Sequence, residues 1–297
     1  GALAAQNNTS DTDVYNTAIG YNAGAAVTTG TNNTLIGGAA GDALTEGDNN
    51  VAVGAFALSA ETLGDRNVAV GRGALQNQNN TSDTDVYNIA VGYNAGANVT
   101  TGIQNTLIGG LTGDALTTGN HNIAIGYQAL SAEDAGQRSV AIGSFSLSSQ
   151  NVDGLNYNVA VGYGASTAVT TGVNNTIIGG LAGDALTTGS FNVAIGYNAL
   201  TTEDAYGKNT AVGYRSLEVL NASSDGSNTA VGFKTGLALS TGVGNTLIGS
   251  EAGDAITSGS NNIIIGQGAA ASAVDASNET VIGTTTTTSA LVHGLKK

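Results

Sequence analysis

The chain has 297 residues, 22 acidic against 8 basic, so its net charge is 8 − 22 = −14. So few cations on so acidic a surface argue against nucleic-acid binding, and with no Cys there is neither a disulfide framework nor a thiolate metal site. No apolar run approaches the 18 or so residues of a membrane helix, and at 41% hydrophobic and 10% charged the chain is too apolar for a disordered tail.

Residues 1–16 (GALAAQNNTSDTDVYN) nearly copy residues 73–88 (GALQNQNNTSDTDVYN). Residues 1–15 therefore read as part of a coil preceding the first complete one. The missing Met and the missing polar cap point to a fragment or processed product, with more chain upstream.

From residue 16 one phrase recurs: Asn, a β-branched residue, usually Ala, then Val or Ile, then Gly. It starts at Asn16, Asn33, Asn50, Asn67, Asn88, Asn105, Asn122, Ser139, Asn158, Asn175, Asn192, Asn209, Asn228, Asn245, Asn262 and Glu279. The step is 17 residues, lengthened to 21, 19 and 19 at every fourth junction. The array 16–283 thus holds sixteen coils in super-repeats 16–87, 88–157, 158–227 and 228–283. A fixed period of this kind is the signature of a solenoid.

The β-branched residues suit a pleated strand, and the Gly in fifth place ends it. Apolar side chains at consecutive places predict a parallel strand covered on both faces. A second segment, such as AAVTTG at Val27 or DALTEG at Leu44, predicts a second short strand in each coil. The fold class is therefore all-β, a parallel β-solenoid or β-roll of sixteen coils of about 17 residues, repeating every ~4.8 Å over roughly 75 Å. The extra residues at 76–87 and 220–227 are expected as loops on one face.

One chain encloses only one face of each strand, and the other would expose a long apolar stripe that sister chains must cover. The β-branched pair is expected to fill the roll, with the small Ala column meeting the neighbours. After Gly283 the pattern dissolves into TTTTTSALVHGLKK, so 284–297 reads as an exit strand or linker.

NTAIGYNAG followed by NNTLIGG at 17-residue spacing resembles the head repeats of YadA-type trimeric autotransporter adhesins. It is closer still to the repeats of bacteriophage tail fibres that precede a C-terminal intramolecular chaperone, and NETVIGTTTTTSALVHG resembles the segment leading to that chaperone. The resemblance covers about residues 16 to 290. It implies a left-handed β-roll, a homotrimer, and a stalk or head that attaches to a host-surface receptor or glycan from a virion or a cell surface. Ser139 and Glu279 at the Asn position, and the long coil, depart from the adhesin pattern.

Several side-chain sets invite chemistry. The Asn column reads as an internal ladder that satisfies turn backbone groups, ahead of a glycan array. Asp42, Asp114, Asp184 and Asp254 recur in GDAL or GDAI as turn residues; three chains would set three carboxylates at each level, around which a cation could sit. Glu61, Glu133 and Glu203, with Asp134 and Asp204, are expected on a solvated face. Tyr21, Tyr93, Tyr163 and Phe233, with Tyr127, Tyr197 and Tyr214, follow the strand Gly and predict stacking along the solenoid, with carbohydrate stacking as the alternative.

His121 and His293 are isolated, and neither a Ser-His-Asp set nor a metal cluster can be assembled. No catalytic residue, cofactor site or metal site is assigned, and the chain is not expected to be an enzyme, to bind nucleic acid or to insert in a membrane. The reading is a non-enzymatic structural or adhesive fibre. An ice-binding solenoid and a self-assembling extracellular filament are the alternatives.

Overall fold

The computed structural model describes residues 1–6, 13–82 and 84–287. The fold is all-β, a parallel β-solenoid of sixteen turns divided between two compact units, 1–158 and 159–297.

In the first unit eight three-residue strands, from Thr17–Ile19 to Val140–Ile142, pair in parallel with no slip: Thr17 lies beside Thr34, Thr34 beside Val51, Val51 beside Val68. The second unit holds eight more, from Val159–Val161 to Thr280–Ile282, in the same register. Each strand stops at the fifth-place Gly. Gly54 takes φ +138°, and a Cβ there would lie 2.5 Å from the carbonyl oxygen of Gly71 in the next coil. Only Gly lets the two backbones approach so closely.

The expected second strand is absent from the ordinary coil. The only other strand pairs among the described residues are two-residue bridges beside the lengthened junctions, Gly64–Asp65 with Thr84–Asp85 and Gly136–Gln137 with Gly154–Leu155. Elsewhere the chain closes through left-handed corners: the third coil alone places Phe56, Leu58 and Arg66 at φ 60°, 53° and 59°. Left-handed residues turn the backbone within one or two positions, whereas an extended strand would spend length that a 17-residue coil lacks.

The strand faces are the reverse of expectation. The middle residue points inward, and Ala52, Ala69, Leu35 and Leu107 are 0% exposed, while the flanking Val, Ile and Thr face outward and are half-buried or exposed. The enclosed space is narrow and already holds Leu, Ala and Asn from the rest of the coil, so the strand contributes only its central side chain.

The four-coil period has a packing reason. In second coils the strand centre is large and the residue six places on is Gly: a Cβ on Gly41 would lie 2.8 Å from Leu35 Cδ2, and one on Gly113 2.9 Å from Leu107 Cδ2. Third and fourth coils reverse the sizes, with Ala52 and Ala69 in the strand and buried Leu58 and Leu75 at the other place. Between second coils and the third and fourth, volume is exchanged across the core, while first coils, such as Ala90 with Gly96, are small at both places.

At the amino end, Leu3 and Ala5 donate backbone hydrogen bonds to the carbonyls of Ala23 and Ala25 in the first coil. At the other end Thr284–Thr287 form a turn closed by Thr287 N–H donating to the Thr284 carbonyl, not a strand. The rest of the expected exit strand, and His293 with it, lies outside the described residues.

Candidate functional site

The Asn column is a ladder inside the coil. Backbone N–H groups along the column donate to the amide oxygen of the preceding Asn, as Asn33 to Asn16 at 2.8 Å and Asn50 to Asn33 at 2.9 Å. In second and third coils Nδ2 reaches across to a carbonyl fourteen residues on, as Asn33 to Gly47 at 2.8 Å and Asn245 to Gly259 at 2.8 Å, whereas in fourth coils Asn67 turns to Asn50 Oδ1 at 3.0 Å and Asn209 to the Gly207 carbonyl at 3.3 Å. Ser139 and Glu279 keep the first bond, to Asn122 at 3.0 Å and Asn262 at 2.9 Å. With its members buried and its amides satisfied, the column holds strand to turn and presents nothing to a ligand.

The Asp set sits half-buried in turns. Asp184 accepts from its own N–H and that of Ala185, and burial holds Asp42, Asp114 and Asp184 above the usual carboxylate range. These are turn residues, as read from the sequence.

Glu61, Glu133 and Glu203 are not on a solvated face; all three are fully buried. Glu61 Oε1 accepts from Thr62 and Gly64 N–H at 2.9 and 2.8 Å and from Asn80 N–H at 3.1 Å, while Oε2 accepts from Gln78 Nε2 at 2.8 Å. Glu133 accepts from Gly136 N–H at 2.7 Å, Gln150 Nε2 at 2.9 Å and Asn156 Nδ2 at 3.0 Å. Glu203 takes Tyr206 and Ala222 N–H, both at 3.2 Å, and has Leu220 where the other two have Gln. Desolvation raises Glu133 and Glu203 despite these bonds.

The missed signal was one of phase. Counting by seventeen, Glu61 continues the column Val27–Leu44 and Glu133 the column Val99–Leu116, both of which point into the core. Asp204 is exposed and alone of the acidic set meets the expectation, while Asp134 is half-buried with its Oδ1 shut away from solvent.

Each buried Glu belongs to the coil before a lengthened junction and anchors it from inside. A cation anchors the same segment from outside: Arg66 pairs with Asp85 and lies over the Tyr87 ring, Arg138 Nη1 donates to Tyr157 Oη at 2.7 Å, and Lys208 Nζ lies 2.6 Å from Asp225. The three cations occupy equivalent places in successive super-repeats. The junctions are thus held on two sides, and the first two are not wholly loops, since Thr84–Asp85 and Gly154–Leu155 pair there as short strands.

The aromatic row lies on the surface. Tyr197, Tyr214 and Phe233 stack on successive coils with centroids 5.8 and 5.3 Å apart and planes within 16°, and Tyr127 meets Phe145 edge-on at 5.5 Å. In the three-ring stack the ring faces meet each other and the edges meet solvent, an arrangement poor for laying a sugar on a face. Threonine hydroxyls that a water-ordering surface would need are partly spent within the chain: Thr28 and Thr45 Oγ1 donate to carbonyls of the next coil at 3.2 and 3.1 Å. His121 stands exposed at a left-handed corner, φ 59°.

Among the described residues no group of three or more His, Cys, Asp or Glu is placed to hold a metal ion, and no helix is long and apolar enough to cross a membrane. No protein-family model matches the chain, and no curated protein does. The candidate functional surface is therefore defined by geometry alone: the outward strand columns, the aromatic row beside them and the doubly anchored loops.

Proposed function

We propose that the chain is a non-enzymatic structural and adhesive fibre element, three copies of which associate through their outward strand faces as the shaft or head of a phage tail fibre or bacterial surface adhesin. The observation carrying this reading is the outward pair of β-branched columns. In each coil the first and third strand residues point away from the core, and the third is always Val or Ile. Ile19, Ile89, Ile123, Ile178, Ile248 and Ile263 all remain exposed on a single chain. Aligned without slip over eight coils of a unit, they make a continuous apolar face of a kind that soluble monomers seldom leave open. Sister chains cover it at no cost in new chemistry, and each surface feature is then displayed three times, so weak contacts with a host surface add up. The sequence resemblance to trimeric adhesin heads and tail-fibre repeats supports the same reading.

Sedimentation equilibrium at micromolar concentration tests it. The expected mass is that of three chains, and the variant Ile178→Asp/Ile248→Asp, which places charge on the face without touching the core, should sediment as a single folded chain. A monomeric native protein would remove the basis of the proposal.

A further inference from the structure

We propose that the Asp153–Gly154 linkage, at the second lengthened junction, is a site of spontaneous covalent modification, where the native fold lets aspartate convert to isoaspartate. The sequence holds two Asp-Gly pairs, Asp153–Gly154 and Asp225–Gly226, and no Asn-Gly pair. Both lie at lengthened junctions, and the structure treats them in opposite ways.

The reaction begins when the Gly backbone nitrogen attacks the Asp side-chain carboxyl carbon. A C–N bond forms, the nitrogen gives up its proton, and the carboxyl hydroxyl leaves with a proton as water. Water then opens the cyclic imide: at the side-chain carbonyl it restores Asp, and at the main-chain carbonyl it yields isoaspartate. Nothing is oxidised or reduced, and water is the sole co-reactant. Glycine favours the step because no Cβ shields its nitrogen.

Asp153 is open to this chemistry. It is exposed, and its carboxylate has no partner among the described residues. A Cβ placed on Gly154 would meet nothing within 4 Å, so the imide has room to close. The linkage spans two anchors: Val152 N–H lies 3.4 Å from the Glu133 carboxylate, and Asn156 N–H donates to the Gln137 carbonyl at 3.1 Å. The strand Gly154–Leu155 is two residues long, and so short a pairing opens locally without unfolding the coil.

Asp225 is held on every count. Lys208 Nζ lies 2.6 Å from one carboxylate oxygen, and Gly207 N–H donates to the other at 3.3 Å. The Lys208 ammonium also holds this carboxyl below the usual carboxylate range, so the hydroxyl that must leave is scarce. Gly226 N–H, which carries the attacking nitrogen, is engaged with the Gly207 carbonyl at 3.1 Å. A Cβ on Gly226 would collide with the Asn209 side chain, so this side of the linkage is filled. Isomerisation at 153 adds a backbone carbon between Val152 and Asn156, both bonded to Glu133, and so works against the grip of that side chain on the junction.

The test is peptide mapping with electron-transfer fragmentation, backed by methylation with an isoaspartyl carboxyl methyltransferase, on the native protein aged for weeks in mildly acidic buffer. Isoaspartate should accumulate at 153 at least about tenfold faster than at 225, where an ion pair and two hydrogen bonds must first break. The same chain aged in urea should modify both sites at comparable rates, because neither carboxyl then has a partner. Asp153→Glu, a change on an exposed side chain, should remove most of the methylation from the native protein. Equal rates at the two sites in the native protein, no isoaspartate at 153 while the unfolded chain forms it, a preference for 153 that persists in urea, or undiminished methylation of Asp153→Glu overturns the proposal.

Discussion

Glu133 is the residue at which the chain departs most from its own pattern. It occupies a core column of Val and Leu, yet its carboxylate gathers donors from Gly136, Gln150 and Asn156. Gln150 in turn donates to Ser139 Oγ at 2.8 Å and accepts from Asn158 Nδ2 at 2.7 Å. Replacing Glu133 by Leu restores the column's apolar character and fills a similar volume, but it strands those donors away from water. Each buried unpaired group costs about 1–3 kcal/mol, so Glu133→Leu should lower unfolding stability by roughly 3 kcal/mol or more in denaturant titration. Adding Gln150→Leu removes one stranded donor but also takes away the acceptor of Asn158 Nδ2 and the donor to Ser139 Oγ. The double variant should therefore be no more stable than the single, and a clear recovery of stability would show that Gln150 acts only through the carboxylate.

At the scale of the element, the exchange of volume between strand and turn explains why one strand sequence alternates while its backbone does not. Leu107→Ala empties part of the core and should cost about 2–5 kcal/mol. Gly113→Leu alone drives a side chain into Leu107, since even a Cβ there lies 2.9 Å from it. Together they rebuild the third-coil pattern of Ala124 with Leu130, which tolerates φ 54°. The pair should recover most of the loss of either single change, as a double-mutant cycle in urea would read.

The coil phase, the strand positions and the Asn ladder were legible in the sequence because each is a strict period, and period 17 needs no knowledge of side-chain direction. What was not legible depended on direction. Consecutive apolar places, as in Val51-Ala52-Val53, do not say which side is inside, and the answer came from how little room the coil leaves. The second strand failed for the same reason: Thr and Val around Val27 have strand propensity, but the corners of so short a coil override it. Glu61 is the clearest case: its residue type suggests solvent, while its column with Val27 and Leu44 points into the core.

For the whole molecule, burial and charge act in one direction on pH. Asp42, Asp114, Asp184, Glu133 and Glu203 are all raised by desolvation from ordinary values of 3.8 or 4.5. A carboxyl whose folded pKa is raised contributes stability that is complete below its unfolded value and is lost as pH climbs through the folded one. Acidification also reduces the −14 net charge and its self-repulsion. Two groups oppose this. Asp225, bonded to Lys208, and Glu279, bonded to Ser272, are lowered, so what they contribute is present above their ordinary values and fades only as pH falls through the depressed ones. The melting temperature should therefore rise from pH 7 to about 5, by roughly 2–4 °C per kcal/mol of linkage, and turn over below the ordinary carboxylate range. Calorimetry across that window checks the sign. Asp114→Asn/Asp184→Asn, which removes two of the raised groups at the surface, should flatten the rise. A melting temperature that falls steadily from pH 7 to 5 would mean that the buried carboxylates are held charged by their donors more strongly than desolvation opposes them.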